Sequence, residues 1–461
     1  MAATSNATHI DLDLRAVYYP ETQVLERLLE SPAAEARKWE NCSICRVPAE
    51  LQDHYYDKLY RPKLVSIGPY HHGQPHLTPM EEHKIRALGK SLEKSGKTVD
   101  DLKQEFMEAD VGALMESYED LDASEWSDRG KFLELLILDG NFVLELLRPI
   151  SVMVKVHSIS GSLPPDDFYK NYDPVFGIYR PSHLKALYLD ILKLENQVPF
   201  LVLEKLHLVL AESIKTTTTT TTTVGYLDEH LLVDFPKVRE KYKREGRKPM
   251  HLLDFFRTKM IGKLSTRTLP TLIALETQSA STYKEAGIAF EPSHDAAISE
   301  IKLDTKNVLV LPVRILEFDE TLRANLQVYE TLYSLGDLEI HSFICFLRSI
   351  FQSVADFGLI EDSSAVAEQV LNSFEYIKDG IDFYAHEESN VVTVVEQLNE
   401  RHRESRKKWR RRFREWGSNF KKTYFSNPWK VLSLFGALLL LGLAFSQTIY
   451  SALSYYHPRS S

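Results

Sequence analysis

The sequence predicts a mainly α-helical protein: a large helical body with a few short extended segments, then one C-terminal transmembrane helix. Three observations carry this. Through most of the chain apolar residues recur three and four apart, the spacing that lines one face of a helix. Extended stretches are few, the clearest being NVLVLPVRILEF at 307–318. Finally, Val431 to Tyr456 (VLSLFGALLLLGLAFSQTIYSALSYY) contains no charged residue.

That last stretch organises the rest. A helix rises about 1.5 Å per residue, so Val431 to Tyr450 spans roughly the 30 Å of bilayer hydrocarbon. The expected spanning residues are Val431, Leu434, Leu438, Leu441, Phe445 and Ile449. Trp429 guards the entry and Tyr450 the exit, where amphipathic rings prefer the headgroup level. The competing reading is a buried helix of a soluble protein, although no other segment is as apolar or as long.

The preceding neck sets an orientation. Between Arg401 and Lys430 twelve Lys or Arg stand against Glu404 and Glu415, a local charge of +10, whereas only Arg459 follows the apolar stretch. Cytoplasmic flanks carry the excess of Lys and Arg, so the body is expected in the cytosol, at the plasma membrane or an endomembrane. Trp409, Phe413, Trp416 and Phe420, spaced 4, 3 and 4, share one helical face, with Arg406, Lys407, Lys408, Arg410, Arg411, Arg412 and Arg414 around the remainder. Two readings fit this pattern. One is a surface lying on anionic lipid, at about 1 kcal/mol per basic residue. The other is a solvated linker helix that merely obeys the charge rule.

Composition bounds the body. Residues 1–400 hold 42 basic and 63 acidic side chains, a net charge of −21. Nucleic acid, which needs a basic patch, is therefore not an expected partner. The N-terminus lacks the basic and apolar regions of a signal peptide, so none is expected. Three cysteines exclude a disulfide framework and suit a reducing compartment. The expected organisation is a leader and first helix at 1–40, a body at 41–400, a basic juxtamembrane segment at 401–428, the spanning helix at 429–452 and a tail at 453–461.

Taken in order, a helical pattern from Glu21 breaks at Pro32. Cys42 to Gly73 is turned or extended, because its prolines and Gly-Pro pair disfavour helix. A helix follows from Pro79, with Met80, Lys84, Leu88 and Leu92 at regular spacing, and another over roughly 99–121. Lys131 to Arg148 is apolar on most faces and reads as a core helix with a weak point at Gly140. Residues 151–180 look irregular. From His183 a heptad-like seam runs Leu184, Leu187, Ile191, Leu194, Val198 and Leu201, kinked at Pro199. The threonines 216–223 predict a mobile surface loop. Helices are expected at 226–243, 249–260, and 269–290 with Gly287 as the stop. The stretch 307–318 reads as an edge strand on account of Pro312. Further helices are expected at 320–334, 338–356, 363–378 and 390–402.

VPAEL, LYRPKLVSIGPYHHG, MEEHK, LDGNFVLELL, DPVFGIYR, LDILKLENQVPFLVLEKL, HLLDFFR, EAGIAF and NPWKVLSLFGALLLLGLAFSQTIYS occur in this order from about Cys42 to Tyr456. This series resembles the plant family known as domain of unknown function 247. The threonine tract and LRANLQVYE at 322–330 depart from the family pattern. The resemblance implies a helical body with one C-terminal membrane segment and, for most members, no established activity. Some grass members are implicated as male determinants of pollen self-incompatibility, recognised by small secreted partners.

The scan for chemistry is mostly negative: no Walker A, G-x-S-x-G or H-E-x-x-H motif occurs. Asp356-Phe357-Gly358 mimics a kinase triplet without the remaining kinase motifs and reads as a helix terminus. Cys42-x-x-Cys45 has half a zinc spacing, which Cys345 with His54, His71 or His72 could complete in principle; two buried or free thiols are the better reading. His71-His72 reads as a turn whose imidazoles cap backbone groups. Asp190 with Glu195, or Glu81 with Glu82, have no spacing that marks an acid/base pair. No catalytic residue, metal or cofactor is expected. The expected function is a single-pass, tail-anchored, non-enzymatic recognition or signalling protein whose partners are the lipid bilayer and an unidentified protein, a small secreted one if the body were extracellular. The alternative is an enzyme with a site near SIGPYHHG and LENQ.

Overall fold

The computed structural model describes residues 42–49, 56–122, 124–160, 181–217, 249–262, 272–274, 276–294, 296–317, 319–333, 338–360, 367–368, 370–371, 384–386, 389–425 and 428–456. The expected leader at 1–40, the helix at 226–243, residues 161–180, most of the threonine tract, most of the helix at 363–378 and the last tail residues lie outside these.

The body is helical, as expected. Its first half packs α1 (Glu81–Ser95), α2 (Val99–Gln104), α3 (Glu108–Glu116), α4 (Arg129–Ser160), α5 (Pro181–Asp190) and α6 (Phe200–Thr217) around one apolar core. Helix α4 is the axis of this half: Phe132, Leu136, Phe142 and Leu146 are all fully buried. It continues through Pro149 to Ser160, where the sequence suggested irregular chain. Gly140 is no weak point, because a Cβ there would lie 2.9 Å from side-chain atoms of both Val202 and Leu206. Its missing side chain lets α6 cross closely. The helix expected over 99–121 is two helices instead. Thr98 and Asp101 form a capping box at the start of α2, and the Met107 N–H donates to Asp110 to start α3.

The seam from His183 is likewise interrupted. Helix ends at Asp190, residues 191–199 follow as buried turns, and α6 starts only at Phe200. Pro199 thus terminates a non-helical passage rather than kinking a helix.

The second half holds α7 (Leu252–Ile261), β1 (Leu272–Ala274), α8 (Ala280–Glu285), β2 (Ala289–Ser293), β3 (Lys302–Leu303), β4 (Val308–Pro312), α9 (Glu320–Tyr333), α10 (Glu339–Ile350), α11 (Val354–Phe357) and β5 (Tyr384–His386). The helix expected over 269–290 is mostly absent. Leu272–Ala274 pairs with β5 antiparallel, and among the described residues of this stretch only the six of α8 are helical, N-capped by Ser279. Gly287 does end that stretch, with φ +91°. β4 is the central strand of a three-stranded sheet, parallel to β2 and antiparallel to β3, not an edge. Pro312 is tolerated because it is the last residue of the strand, and the Ser293 carbonyl accepts instead from the Val313 N–H. The helix expected over 338–356 stops at Ile350. The chain restarts at α11, where Ser353 accepts from the Asp356 N–H.

Two long helices complete the chain. α12 runs unbroken from Asn390 to Tyr424, and α13 from Pro428 to Tyr456. The start of α12 packs on the body through Val391, Val394, Val395 and Leu398, all buried.

Candidate functional site

Two regions stand out: a buried polar hub in the body, and the surface of α12 and α13.

The hub unites the two segments that the enzyme reading required. Where α5 ends, the Asp190 carboxylate accepts from the N–H groups of Lys63, Leu64 and Val65 at 2.9, 2.7 and 3.1 Å. Glu195 accepts from the Val47 N–H at 2.7 Å and from the Tyr56 hydroxyl, and His71 Nε2 lies 3.1 Å from it. Asn196 accepts from the Ile67 N–H at 2.6 Å and donates to the carbonyls of Val65 and Asp190. Gln197 donates to the carbonyls of Ile191 and Lys193. Asn325, from α9, accepts from the Leu194 N–H and donates to the Leu59 carbonyl. The residues of LENQ thus replace, with side chains, the backbone bonds that the unwound passage lacks.

Electrostatics fit a closed structural knot. Burial alone would raise the Glu195 carboxyl, but the close His71 ring and the hydrogen bonds from Tyr56 and Val47 outweigh it and hold the group below the usual carboxylate range. Burial and the neighbouring Glu195 charge push the Tyr56 phenol up, so it stays protonated and donates. Glu195 is 1 % exposed and His71 2 %, so a substrate would have to break the knot to reach either.

Beside the hub lies a buried ion pair that the sequence hides. Lys84 Nζ is 2.6 Å from Asp139 Oδ1, and both side chains are fully buried. Burial pushes the Asp139 carboxyl up against the pull of Lys84, while the Gly68 N–H donates to its other oxygen at 2.8 Å. Gly68 has φ +77°, and a Cβ there would collide with the Gln197 carbonyl. Gly73 has φ +73° but nothing within 4 Å of a Cβ. Gly68→Ala is therefore expected to destabilise by about 3 kcal/mol, from strain plus collision, and Gly73→Ala by only about 1 kcal/mol. Equal costs in urea unfolding would contradict a tight approach at Gly68.

The remaining sequence candidates are placed as follows. Cys42 and Cys45 are buried and outside any disulfide, with sulfurs 3.7 Å apart, and the Cys345 sulfur lies 3.5 Å from His341 Nε2. His72 packs against Trp126, while His54 lies outside the described residues. Among the described residues no group of three or more His, Cys, Asp or Glu is placed to hold a metal. Rather than capping backbone, His71 meets Glu195 and the Gln74 amide. Asp356 accepts from Ser281 and Ser353, and Gly358 follows α11 in a right-handed conformation, so the triplet is a helix end.

In the second region α12 leaves the body. Past Leu398, His402 meets Tyr283 edge-on, with centroids 6.2 Å apart. A groove of about 490 Å³ follows, with Thr282, Glu285 and Ala286 on the body side and Ser405, Arg406, Trp409 and Arg410 on the helix side. Trp409, Phe413, Trp416 and Phe420 then form a ladder with successive centroids 5.4, 6.1 and 5.8 Å apart. Arg406, Lys407, Lys408, Arg410, Arg411, Arg412 and Arg414 are all exposed.

In α13 the residues Val431–Ile449 form a helix long and apolar enough to cross a membrane, with none of it buried. Leu438, Leu441, Phe445, Ile449 and Trp429 are exposed and Val431 half-buried, while Leu434 and Tyr450 lie on the same helix with side chains outside the described set. The Thr448 hydroxyl donates to the Ala444 carbonyl, which satisfies the polar group inside the helix.

A helical body carried on a continuous basic helix that leads to an uncovered apolar one defines the class of protein. Residues 44–443 match the model of DUF247, described as a plant protein of unknown function, and the chain belongs to that family. It is similar to a UPF0481 protein of Arabidopsis thaliana, 25% identical over 460 residues, covering 94% of this chain and 90% of that relative. No solved structure matches the chain.

Proposed function

We propose that this chain is a single-pass, tail-anchored plant membrane protein of recognition or signalling type, without enzymatic activity. Its acidic body faces the cytosol, where it engages a protein partner. The observation that carries this reading is the helix Val431–Ile449, of which no part is buried. A core helix would cover Leu438, Leu441 and Phe445, each worth about 1.5–3 kcal/mol on burial. Here all three are more than half exposed, so their natural solvent is hydrocarbon. The +10 segment immediately before it favours a cytosolic body. The enzyme reading is weaker, because the knot that joins SIGPYHHG to LENQ is sealed and engages its own backbone.

The test uses microsomes from plant cells expressing the full chain. The intact protein is expected to resist alkaline carbonate, and Leu438→Arg/Leu441→Arg to be released, since each central arginine adds about 2.5–3.5 kcal/mol to insertion. Protease added outside sealed vesicles is expected to digest the body. Carbonate release of the intact chain would remove the anchor. A protected body would reverse the orientation and favour a role in receiving a secreted partner.

A further inference from the structure

We propose that the aromatic face of α12 beyond the body docks on an anionic bilayer surface. This rests on the anchor reading and adds to it a second contact with the same membrane. At 100° per residue, Val391, Val395, Leu398 and His402 fall in one arc of about 60°, and Trp409, Phe413, Trp416 and Phe420 fall in the same arc. The first group is covered by the body: Val391 and Leu398 are fully buried and Val395 is 5 % exposed. In the second group Trp409, Phe413 and Trp416 are 65 %, 58 % and 64 % exposed. One helical face thus has two halves: the body covers the first, while Trp409, Phe413 and Trp416 of the second stand largely in solvent among the described residues. A run of exposed aromatics of this size marks an interaction surface.

Charge and position select the occupant. The cations from Arg406 to Arg414 flank the aromatic arc and cover the opposite side, all in solvent. A second copy would bring an equal positive charge to the same seam, which like-charge repulsion disfavours. Anionic headgroups bring the complementary charge, and Trp and Phe are residues that settle at the headgroup–acyl boundary. Phe420 stands four residues before the end of α12 and eight before Pro428, where α13 begins, so the leaflet entered by α13 is within reach. An acidic partner helix would match the charge as well, but nothing places one beside this face, whereas α13 brings the bilayer there. Because body and lipid meet the same face of one continuous helix, α12 must approach the leaflet obliquely. The side of the body bearing Thr282, Glu285 and Ala286 then faces the membrane.

The experiment reconstitutes the full chain into vesicles with brominated acyl chains and reads quenching of tryptophan fluorescence. Neutral phosphatidylcholine vesicles are compared with vesicles in which part of that lipid is replaced by phosphatidylserine. Variants Trp409→Phe/Trp416→Phe and Trp429→Phe assign the signal, and differences between variants cancel the other tryptophans. In anionic vesicles the double variant is expected to lose about two thirds of the quenched signal, that is, two of three interfacial tryptophans. In neutral vesicles, or at about 1 M salt where the Debye length is near 3 Å, only Trp429→Phe is expected to matter. Quenching of Trp429 without quenching of Trp409 and Trp416 overturns the docked neck and leaves the anchor. Equal quenching of the pair in neutral and anionic vesicles overturns the role of charge. No quenching assignable to Trp429 overturns the anchor itself.

Discussion

Lowering the pH from 7 to 5 is expected to cost the body about 4 kcal/mol of folding stability through two histidines. His251 and His341 are buried, and burial lowers each imidazole from 6.5 to about 4. Hydrogen bonding at His251 requires the neutral ring. Nδ1 accepts from the Asp254 N–H at 3.3 Å to cap α7, which leaves Nε2–H to donate to the Ser43 carbonyl at 3.0 Å. A second proton on Nδ1 would remove the cap. Between pH 6.5 and 4 the unfolded chain binds these protons and the folded chain does not, so stability rises with pH across that window and is full above it. Each unit is worth about 1.4 kcal/mol per histidine. Carboxylates such as Glu195 act lower, because their unfolded forms titrate near 4.5. Urea unfolding at a series of pH values measures the slope. His251→Asn keeps a capping acceptor without a titrating ring and is expected to halve it. A body equally stable at pH 5 and 7 would refute the buried neutral rings.

Asp139→Ala is expected to destabilise by about 3–5 kcal/mol, among the largest effects of any single change in the body. The substitution leaves the Lys84 ammonium fully buried, with only Glu81, which is partly exposed, at 2.7 Å and the Ser66 hydroxyl at 3.3 Å. It also orphans the Gly68 N–H. Removing both charges is the control. Lys84→Met/Asp139→Leu keeps the volume and removes the buried ammonium that only the partly exposed Glu81 would still balance, so it should lose much less than Asp139→Ala alone. A double variant no more stable than the single one would place the cost in packing rather than charge.

Much of this fold is legible in the sequence where periodicity and packing agree. The apolar run 131–148 is a core helix, and the helix expected from 390 runs on into the aromatic ladder. Where the reading failed, the deciding partner lies far along the chain. Spacing continues through Ile191, Leu194 and Val198, yet the chain unwinds there because Asn196 and Asp190 find the backbone of residues 63–67. Leu272–Ala274 has helical neighbours in sequence and becomes a strand by pairing with Tyr384–His386. Lys84 carried a usable signal, since a lysine on the apolar stripe of Met80, Leu88 and Leu92 calls for a buried counter-charge. Nothing in the spacing names Asp139 as that charge, or joins Tyr56 and Asn325 to the knot around Glu195. The groove beside Trp409 was equally invisible, because half of it belongs to α8.

The polar knot also bears on how the protein is made. Lys63, Leu64 and Val65 wait for a carboxylate more than 120 residues downstream, Val47 for one 148 residues away, and Leu59 for an amide 266 residues away. On the ribosome, residues 47–65 therefore emerge long before these particular partners. Closing such long loops forfeits chain entropy before contacts return it, so assembly should be slow and depend on nearly the whole body having been synthesised. Until then the nascent chain exposes Ile44, Val65 and Ile67, all fully buried at the end, as a natural landing site for a chaperone.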